Sequence, residues 1–407
     1  MNLKINILSL IILLIAGISV SARSKENIRT VQLLDTNWKF FNAEVQGGEL
    51  PDLNTDNWQT IEVPHDWAIA GPFDENNDLQ IVKVIEDGET VAKRRSGRTG
   101  GLPHIGIGWY RKTLEIPATW NGKRIFVEFD GAMSNARIYL NGQFIGEWPY
   151  GYASFGFDLT DKIELGKKNV LAVRLENKPN SSRWYPGAGI YRNVRLVVTD
   201  QVYVKQWGTY ITTPEIEKGK GTVNIETSLD GLKKGDKNAK LTTNIYNAKN
   251  KLVATVTNPV ENNKTVQQLK VDLPQLWSVT DPYLYRAVSV VEVDGVTTDR
   301  YETAFGFRYF KFTYNVGFFL NGKNMILIGV CMHHDLGALG AAVNVSAIKR
   351  QLIILQEMGC NAIRTSHNPP APEMLQLCDE LGFLVINEAF DEWKNSKCDN
   401  GYNTLWD

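Results

Sequence analysis

The chain has 407 residues, 43% of them hydrophobic, and a net charge of −1 from 44 basic and 45 acidic side chains. This charge balance argues against nucleic-acid binding, which needs clustered cations, and the length predicts two or three domains. The cysteines follow neither a disulfide framework nor a zinc motif, so we expect no metal and no cofactor; they are Cys331, Cys360, Cys378 and Cys398.

The first 22 residues have the three parts of a secretory signal peptide. Lys4 charges the start, residues 7–20 are apolar, and Val20-Ser-Ala22 is a small-residue cleavage site. The apolar run is shorter than the roughly 20 residues of a membrane-spanning helix, so a membrane anchor is the weaker interpretation. We therefore expect export to the periplasm or the extracellular space, with no membrane attachment after cleavage.

Residues 23–310 consist largely of short β-rich segments. Arg124–Phe129, Ala136–Leu140 and residues 170–175 are examples, and Asn-Gly or Asp-Gly turns separate them. Strands with frequent turns predict a β-sandwich over residues 23–200. The composition then changes from Trp-rich to rich in Lys, Asn and Thr, and residues 201–310 fit one immunoglobulin-like β-sandwich.

Residues 311–407 predict a parallel α/β layer. The apolar run 325–330 predicts a strand covered on both faces, and a helix capped by Asn344 or Ser346 should run to Met358. Further strands are predicted at 361–366 and 383–388, with a helix at 372–381 between them. A closed eight-stranded barrel takes about 250 residues, so we expect an incomplete TIM barrel in this segment.

Polar side chains collect where these strands end. In a barrel such residues converge on one pocket, and their mixture of donors and acceptors suits sugar hydroxyls. The alternatives are structural hydrogen bonding by the histidines and a solvated loop at Asp391-Glu392. The residues that we predict to bind substrate are His333, Asp335, Arg364, His367, Asn368 and Glu388, with His334 and Asn387 beside them.

At this point the ordered motifs resemble glycoside hydrolase family two, the β-galactosidase, β-glucuronidase and β-mannosidase group. The resemblance covers nearly the whole mature chain and includes the bacterial β-galactosidase-like run His333-His-Asp-Leu-Gly-Ala-Leu-Gly340. It implies that residues 23–200 form a jelly-roll sugar-binding domain. The other motifs are Val63-Pro-His-Asp-Trp67, Gly108-Trp-Tyr-Arg111, Trp184-Tyr-Pro-Gly-Ala-Gly-Ile-Tyr-Arg192, Phe305-Gly-Phe-Arg308 and Phe319-Leu-Asn-Gly-Lys323.

The resemblance also implies roles for individual residues. His333 and His367 match histidines that contact the sugar, and Arg364 and Glu388 match the arginine of the second strand and an acidic position after the third. Asn387-Glu388 looks like the family's acid/base pair, but it follows the third strand instead of the fourth. The acid/base and nucleophile glutamates are therefore expected beyond Asp407, leaving no catalytic residue here. Some family members bind magnesium through a glutamate and a histidine two residues apart. Glu392 matches that glutamate, but Lys394 stands at the position of the histidine.

These expectations combine into one prediction: an exported retaining glycosidase of the β-galactosidase type, acting on terminal β-galactosides. The chain alone should be inactive. A β-glucuronidase, a β-mannosidase or a non-catalytic carbohydrate-binding protein are the alternatives, and homo-oligomerisation is left open. Trp184-Tyr185 and the loop Gly100-Gly-Leu-Pro-His104 are candidates for the pocket rim.

Overall fold

A computed structural model describes residues 28–96, 99–103, 106–233, 238–260 and 263–406. The predicted signal peptide over 1–22, His104 and Asp407 lie outside the described residues. Two antiparallel β-sandwiches are followed by a parallel α/β layer, which confirms the predicted fold class. Within the described part of the chain, no helix is both long and apolar enough to cross a membrane.

The first sandwich encloses its hydrophobic core between two antiparallel sheets. Strand Arg124–Phe129 alternates between interior and outer face, and Ile125, Val127 and Phe129 are buried in the core. One sheet contains, in order, Thr30–Leu33, Val194–Thr199, Arg124–Phe129 and Phe155–Asp158. The other contains Gln59–Ile61, Trp38–Phe41, Gly106–Glu115, Lys168–Asn177, Ala136–Leu140 and Gln143–Trp148. A separate two-stranded ribbon pairs Leu79–Glu86 with Glu89–Ser96.

The second sandwich also consists of two antiparallel sheets. Strand Lys264–Asp272 alternates strictly between exposed and buried side chains, as expected for one solvated face. One sheet contains Tyr203–Thr212, Ile216–Glu217, Lys220–Asp230 and Lys264–Asp272. The other contains, in order, Leu252–Pro259, Lys240–Tyr246, Tyr285–Val293 and Val296–Phe305. The larger of its core clusters is centred on Val223, Ile225, Ile245 and Phe307.

A small antiparallel sheet and then a parallel layer complete the described chain. The small sheet contains Phe310–Thr313, Gly317–Leu320 and Lys323–Asn324. The layer contains β1 (Gly329–Met332), α1 (Val345–Glu357), β2 (Ala362–Thr365), α2 (Pro372–Leu381) and β3 (Leu384–Asn387). Short 3₁₀ helices lie at Ala68–Ala70, Ala118–Trp120, Gly337–Leu339 and Asn403–Trp406.

The parallel layer follows the predicted order closely. Both strand pairs are parallel, with Val330 opposite Ile363 and Ile363 opposite Val385. Asn344 caps α1 by accepting a hydrogen bond from the Ala347 N–H at 3.0 Å, and Gly382 ends α2 with a φ of 85°. The layer therefore forms the first three strands of a (β/α)8 barrel, with both helices on one face.

The first barrel strand begins later than the apolar run predicts. The run covers residues 325–330, but β1 pairs with its neighbour only from Gly329 onward. The Asn361 side chain accounts for the shift, because it accepts from the Ile328 N–H and donates to the Ile326 carbonyl, both at 2.9 Å. This side chain replaces strand pairing at the lower end of β1.

Candidate active site

Side chains from two neighbouring strand ends form one hydrogen-bonded cluster. Arg364 Nε donates to Glu388 Oε1 at 2.6 Å, and His367 Nδ1 lies 2.8 Å from Glu388 Oε2. The Cys331 sulphur and the Glu388 carboxylate raise the pKa of Arg364. Because both of its oxygens are engaged, Glu388 holds Arg364 and His367 in fixed positions. We therefore interpret Glu388 as a residue that organises this cluster.

The two histidines after β1 have different surroundings. The His333 ring stacks on Trp184 with 5.1 Å between ring centres and lies 5.8 Å from the His367 ring. Burial and the neighbouring His367 lower the pKa of His333, so it is neutral at pH 7. His334 points elsewhere: its Nε2 lies 3.0 Å from the Pro186 carbonyl, which requires the proton on that nitrogen. One His333 nitrogen bonds to the Ser366 backbone, which leaves the other nitrogen for a ligand, whereas His334 is a structural residue.

Asp335 and Asn368 also lie near this cluster. Asn368 is buried, donates to the Pro369 carbonyl at 3.3 Å, and shares a small cavity with His333. Its Oδ1 atom is buried without a hydrogen-bond partner among the described residues, and the cavity of about 30 Å³ has room for one water but not for a sugar. Asp335 is half-buried and its charge raises the pKa of His333 against the dominant effect of burial.

The first sandwich supplies an aromatic wall to the site. Trp184 is buried against His333, and its Nε1 donates to the Tyr152 hydroxyl at 3.1 Å. Tyr150 donates to the Ala389 carbonyl at 2.7 Å, and Tyr402 packs against its ring. Trp184 was predicted at the rim from its motif. The tyrosines were missed, although Tyr150-Gly-Tyr152 at a loop following a strand was a signal that could have indicated two of them.

The carboxylates at the start of the loop after β3, Asp391 and Glu392, are not solvated, and Asp391 is tied to the sandwich. Arg183 Nε donates to Asp391 Oδ2 at 3.2 Å, and Lys397 Nζ lies 3.1 Å from Asp391 Oδ1. Burial acts in the opposite direction, but these two cations still lower the pKa of Asp391. The Glu392 residue is 3% exposed. The solvated-loop interpretation of Asp391-Glu392 is therefore wrong.

The magnesium site that the family resemblance raised would involve Glu392 and the side chain at position 394. Lys394 is exposed, next to the buried Glu392. Across the ranges that the structure describes, no three or more His, Cys, Asp and Glu side chains are grouped to hold an ion.

The other predicted rim segment, Gly100-Gly-Leu-Pro103, lies against Asp74, whose N–H donates to the Gly101 carbonyl at 2.8 Å.

Asp66 joins the first sandwich to the loop after β1. This buried carboxylate accepts from the backbone N–H groups of Ala68, Ala188 and Ala341 at 3.0, 2.9 and 2.8 Å, and from the Tyr185 hydroxyl at 2.7 Å. A Cβ atom on Gly340 would lie 2.4 Å from Asp66 Oδ2, so only glycine fits there. The Val63–Trp67 and Trp184–Arg192 motifs thus meet at a domain junction.

Arg192 makes a second connection, to the loop after β2. Its guanidinium donates to the carbonyls of Tyr152 at 2.7 Å and Asp130 at 3.2 Å within the sandwich. It also donates to the carbonyls of Pro369 at 2.9 Å and Pro370 at 3.3 Å, which directly follow His367 and Asn368. The sandwich therefore fixes the backbone on which two of the predicted site residues lie.

A buried histidine in the sandwich should make stability depend on pH. Burial lowers the pKa of His65 from 6.5 to about 4, so the unfolded chain binds this proton more tightly. The stabilisation is complete above pH 6.5 and is lost as pH falls from 6.5 towards 4. When the pH falls from 7.5 to 4.5, the parent chain should lose about 2 kcal/mol more unfolding free energy than His65→Gln does, as measured by urea denaturation. Identical pH profiles for the variant and the parent chain would contradict this assignment.

Comparison with known proteins agrees with this architecture. Three family models match in chain order: "Glycosyl hydrolases family 2, sugar binding domain" over 31–200, "Glycosyl hydrolases family 2" over 202–308, and "Glycosyl hydrolases family 2, TIM barrel domain" over 314–405. All three belong to one family, and together they account for nearly the whole described chain.

Individual relatives give the same result over part of their length. The β-galactosidase BoGH2A of Bacteroides ovatus is 42% identical over 375 residues, covering 90% of this chain and 42% of its own. A putative β-glucuronidase of Formosa agariphila is 35% identical over 361 residues, covering 88% of this chain and 33% of its own. The crystal structure of a family 2 member from Bacteroides cellulosilyticus superimposes with a TM-score of 0.85 at 36% identity, covering 92% of this chain and 48% of that one. The chain thus spans less than half the length of these relatives, and it belongs to the glycosyl hydrolases of family 2.

Proposed function

We propose that this chain forms the N-terminal part of an exported retaining glycosidase that hydrolyses terminal β-galactosides. The strand-end cluster forms one wall of the sugar subsite. In this proposal His333 and His367 contact sugar hydroxyls, and Trp184 backs both histidines. Carbohydrate is the partner that this combination of neutral donors, acceptors and an aromatic wall supports.

The ion pair between Arg364 and Glu388 is the observation that favours a neutral sugar. A glucuronide would need a free cation to bind its carboxylate. Here the guanidinium is already bound to Glu388, Arg183 is bound to Asp391, and Arg192 is bound to four backbone carbonyls. The relation to BoGH2A, which is named a β-galactosidase, supports the same choice over the β-glucuronidase alternative.

The hydrolytic step requires two carboxyl groups about 5–5.5 Å apart, one acting as acid/base and the other as nucleophile. In this proposal Glu388, which Arg364 and His367 bind on both oxygens, takes neither role and organises the cluster instead. We therefore propose that the two catalytic glutamates lie outside this chain and that residues 1–407 alone do not turn over substrate.

The experiment compares two proteins expressed from the same gene. The open reading frame read through to its own stop codon should hydrolyse 4-nitrophenyl β-galactoside faster than the β-glucuronide, while the 407-residue chain should release no nitrophenol from either. Turnover by the short chain would overturn the organising role of Glu388, and a full-length protein inactive on both would overturn the proposed function. N-terminal sequencing of the secreted product should begin at Arg23; an uncleaved Met1 would contradict export.

A further inference from the structure

A second cavity lies at the junction of the two sandwiches, away from the strand-end cluster. It has a volume of about 300 Å³ and lies between the start of strand Tyr203–Thr212 and the four-stranded sheet of the first sandwich, which includes Arg124–Phe129. That volume lies at the lower end of the range for small-molecule sites. The lining residues that matter here are Phe126, Glu128, Tyr203, Lys205, Gln206 and Trp207.

An irregular bulge of four residues forms one side of this cavity. The pairing of Tyr203–Thr212 with Lys220–Asp230 is interrupted between Val204 and Thr209, so that residues 205–208 lie opposite Ser228 alone. Gly208 makes the bulge possible, since a Cβ atom there would lie 2.7 Å from the carbonyl oxygens of Lys205 and Ser228. Bulges of this kind redirect side chains, and they are frequent beside functional sites.

The bulge holds Trp207 in an unfavourable backbone conformation and leaves it exposed. Its φ is 51°, the left-handed region that bulky residues avoid, at a cost of about 1–3 kcal/mol. The residue is 56% exposed, and the buried part of the indole returns about 2–3 kcal/mol, which roughly cancels that cost. The fold therefore gains little net stability from a tryptophan at this position.

Polar groups inside the cavity complement the indole. The Gln206 side chain hydrogen bonds to Glu128, and burial raises the pKa of Glu128 to about 7, so this carboxyl can both donate and accept near neutrality. Phe126 and Tyr203 pack with 5.3 Å between ring centres and form the apolar floor. The cavity therefore offers an aromatic face, an amide and a carboxyl, which together match one face and several hydroxyls of a pyranose.

The charged groups around the cavity are largely paired, so they leave no free cation for an anionic ligand. Asp158 pairs with Arg124, and Lys205 Nζ lies 3.9 Å from Asp230. Arg29, the other cation that lines the cavity, binds Asp299 at 2.7 Å. A ligand bearing a carboxylate or phosphate would therefore find no unpaired cation among the lining residues.

We propose that this cavity is a non-catalytic binding site for a neutral pyranose residue, with its C–H face on Trp207 and its hydroxyls on Glu128 and Gln206. The site is independent of the strand-end pocket, and a ligand bound here would lie against both sandwiches. Its existence does not depend on the proposed hydrolytic function.

The test is saturation-transfer NMR on the 407-residue chain with lactose as the probe. Trp207→Asn removes the indole while keeping a residue that tolerates positive φ, so the variant should bind lactose about tenfold more weakly without a lower melting temperature. Tyr210→Ala is the matched control, because Tyr210 is a 68% exposed aromatic residue on the same strand that does not line this cavity. It should leave lactose binding unchanged.

A third variant separates this site from the strand-end pocket. His367→Ala should leave the Trp207-dependent lactose signal intact, and glucuronate should give no Trp207-dependent signal. Loss of lactose binding in His367→Ala but not in Trp207→Asn would overturn the proposal while leaving the proposed galactosidase function standing. Absence of any lactose signal, an equal effect of Tyr210→Ala, or a lower melting temperature for Trp207→Asn would also overturn it.

Discussion

Replacing Asp66 with alanine is expected to lower the free energy of unfolding by about 4 kcal/mol, because buried donors lose their acceptor. Three backbone N–H groups and the Tyr185 hydroxyl converge on this carboxylate, and the Ala341 N–H belongs to the barrel layer. Leaving a buried donor unsatisfied costs about 1–3 kcal/mol, and partial relaxation makes the sum smaller than four such losses. Urea denaturation at pH 7 measures the effect.

Two further variants locate the cause of that loss. Asp66→Asn preserves the shape and one acceptor oxygen, so it should destabilise clearly less than the alanine variant. Asp161→Ala removes an exposed carboxylate from the same sandwich and should change the free energy by no more than about 0.5 kcal/mol. If Asp66→Ala costs as little as Asp161→Ala, the domain junction does not rest on this residue.

Replacing Arg192 with lysine should be the next most damaging change, at about 3 kcal/mol. The residue is 1% exposed, and its planar guanidinium reaches four carbonyl oxygens on both sides of the junction. An ammonium group keeps the charge but cannot span those acceptors, so a buried cation is left partly unsatisfied. Hydrogen exchange should also accelerate at the amides of residues 366–368 and 371, because the loop carrying His367 loses its support.

Arg137→Lys is the matched control for Arg192. The Arg137 side chain is 52% exposed and pairs with Glu147, which is 62% exposed, on the same sandwich. Such an exposed ion pair contributes about 0–1 kcal/mol, so this substitution should be mild. Equal destabilisation by the two lysine variants would show that the carbonyl network of Arg192 does not hold the loop.

The sequence was sufficient to predict those features that depend on local pattern. Alternating apolar residues indicated the sandwiches, and the strand–helix order indicated the parallel layer, with α2 predicted at its observed bounds of Pro372–Leu381. The meeting of Arg364, His367 and Glu388 was also foreseeable, since parallel strands that start together end at one edge.

Contacts between residues far apart in the chain could not be foreseen in this way. Nothing in the motif around Asp66 indicates that Ala341 will donate to it, and the carbonyl partners of Arg192 follow from the docking of two complete domains. Asp391 looked solvated because its neighbours in sequence are polar, yet Arg183 from the sandwich covers it. The later start of β1 depends on one side chain, Asn361, which no periodicity reveals.

The shared carboxylate at Asp66 limits how this protein can be recombined with its relatives. A crossover placed between the second sandwich and the barrel would look harmless on a domain map, but it separates Asp66 from the Ala341 N–H and Arg192 from the Pro369 carbonyl. A hybrid inheriting its sandwich from one parent and its barrel from another would keep these bonds only if both parents place the loop backbones alike. When domains are exchanged between this protein and its relatives, the first sandwich and the loops after β1 and β2 should therefore come from the same parent.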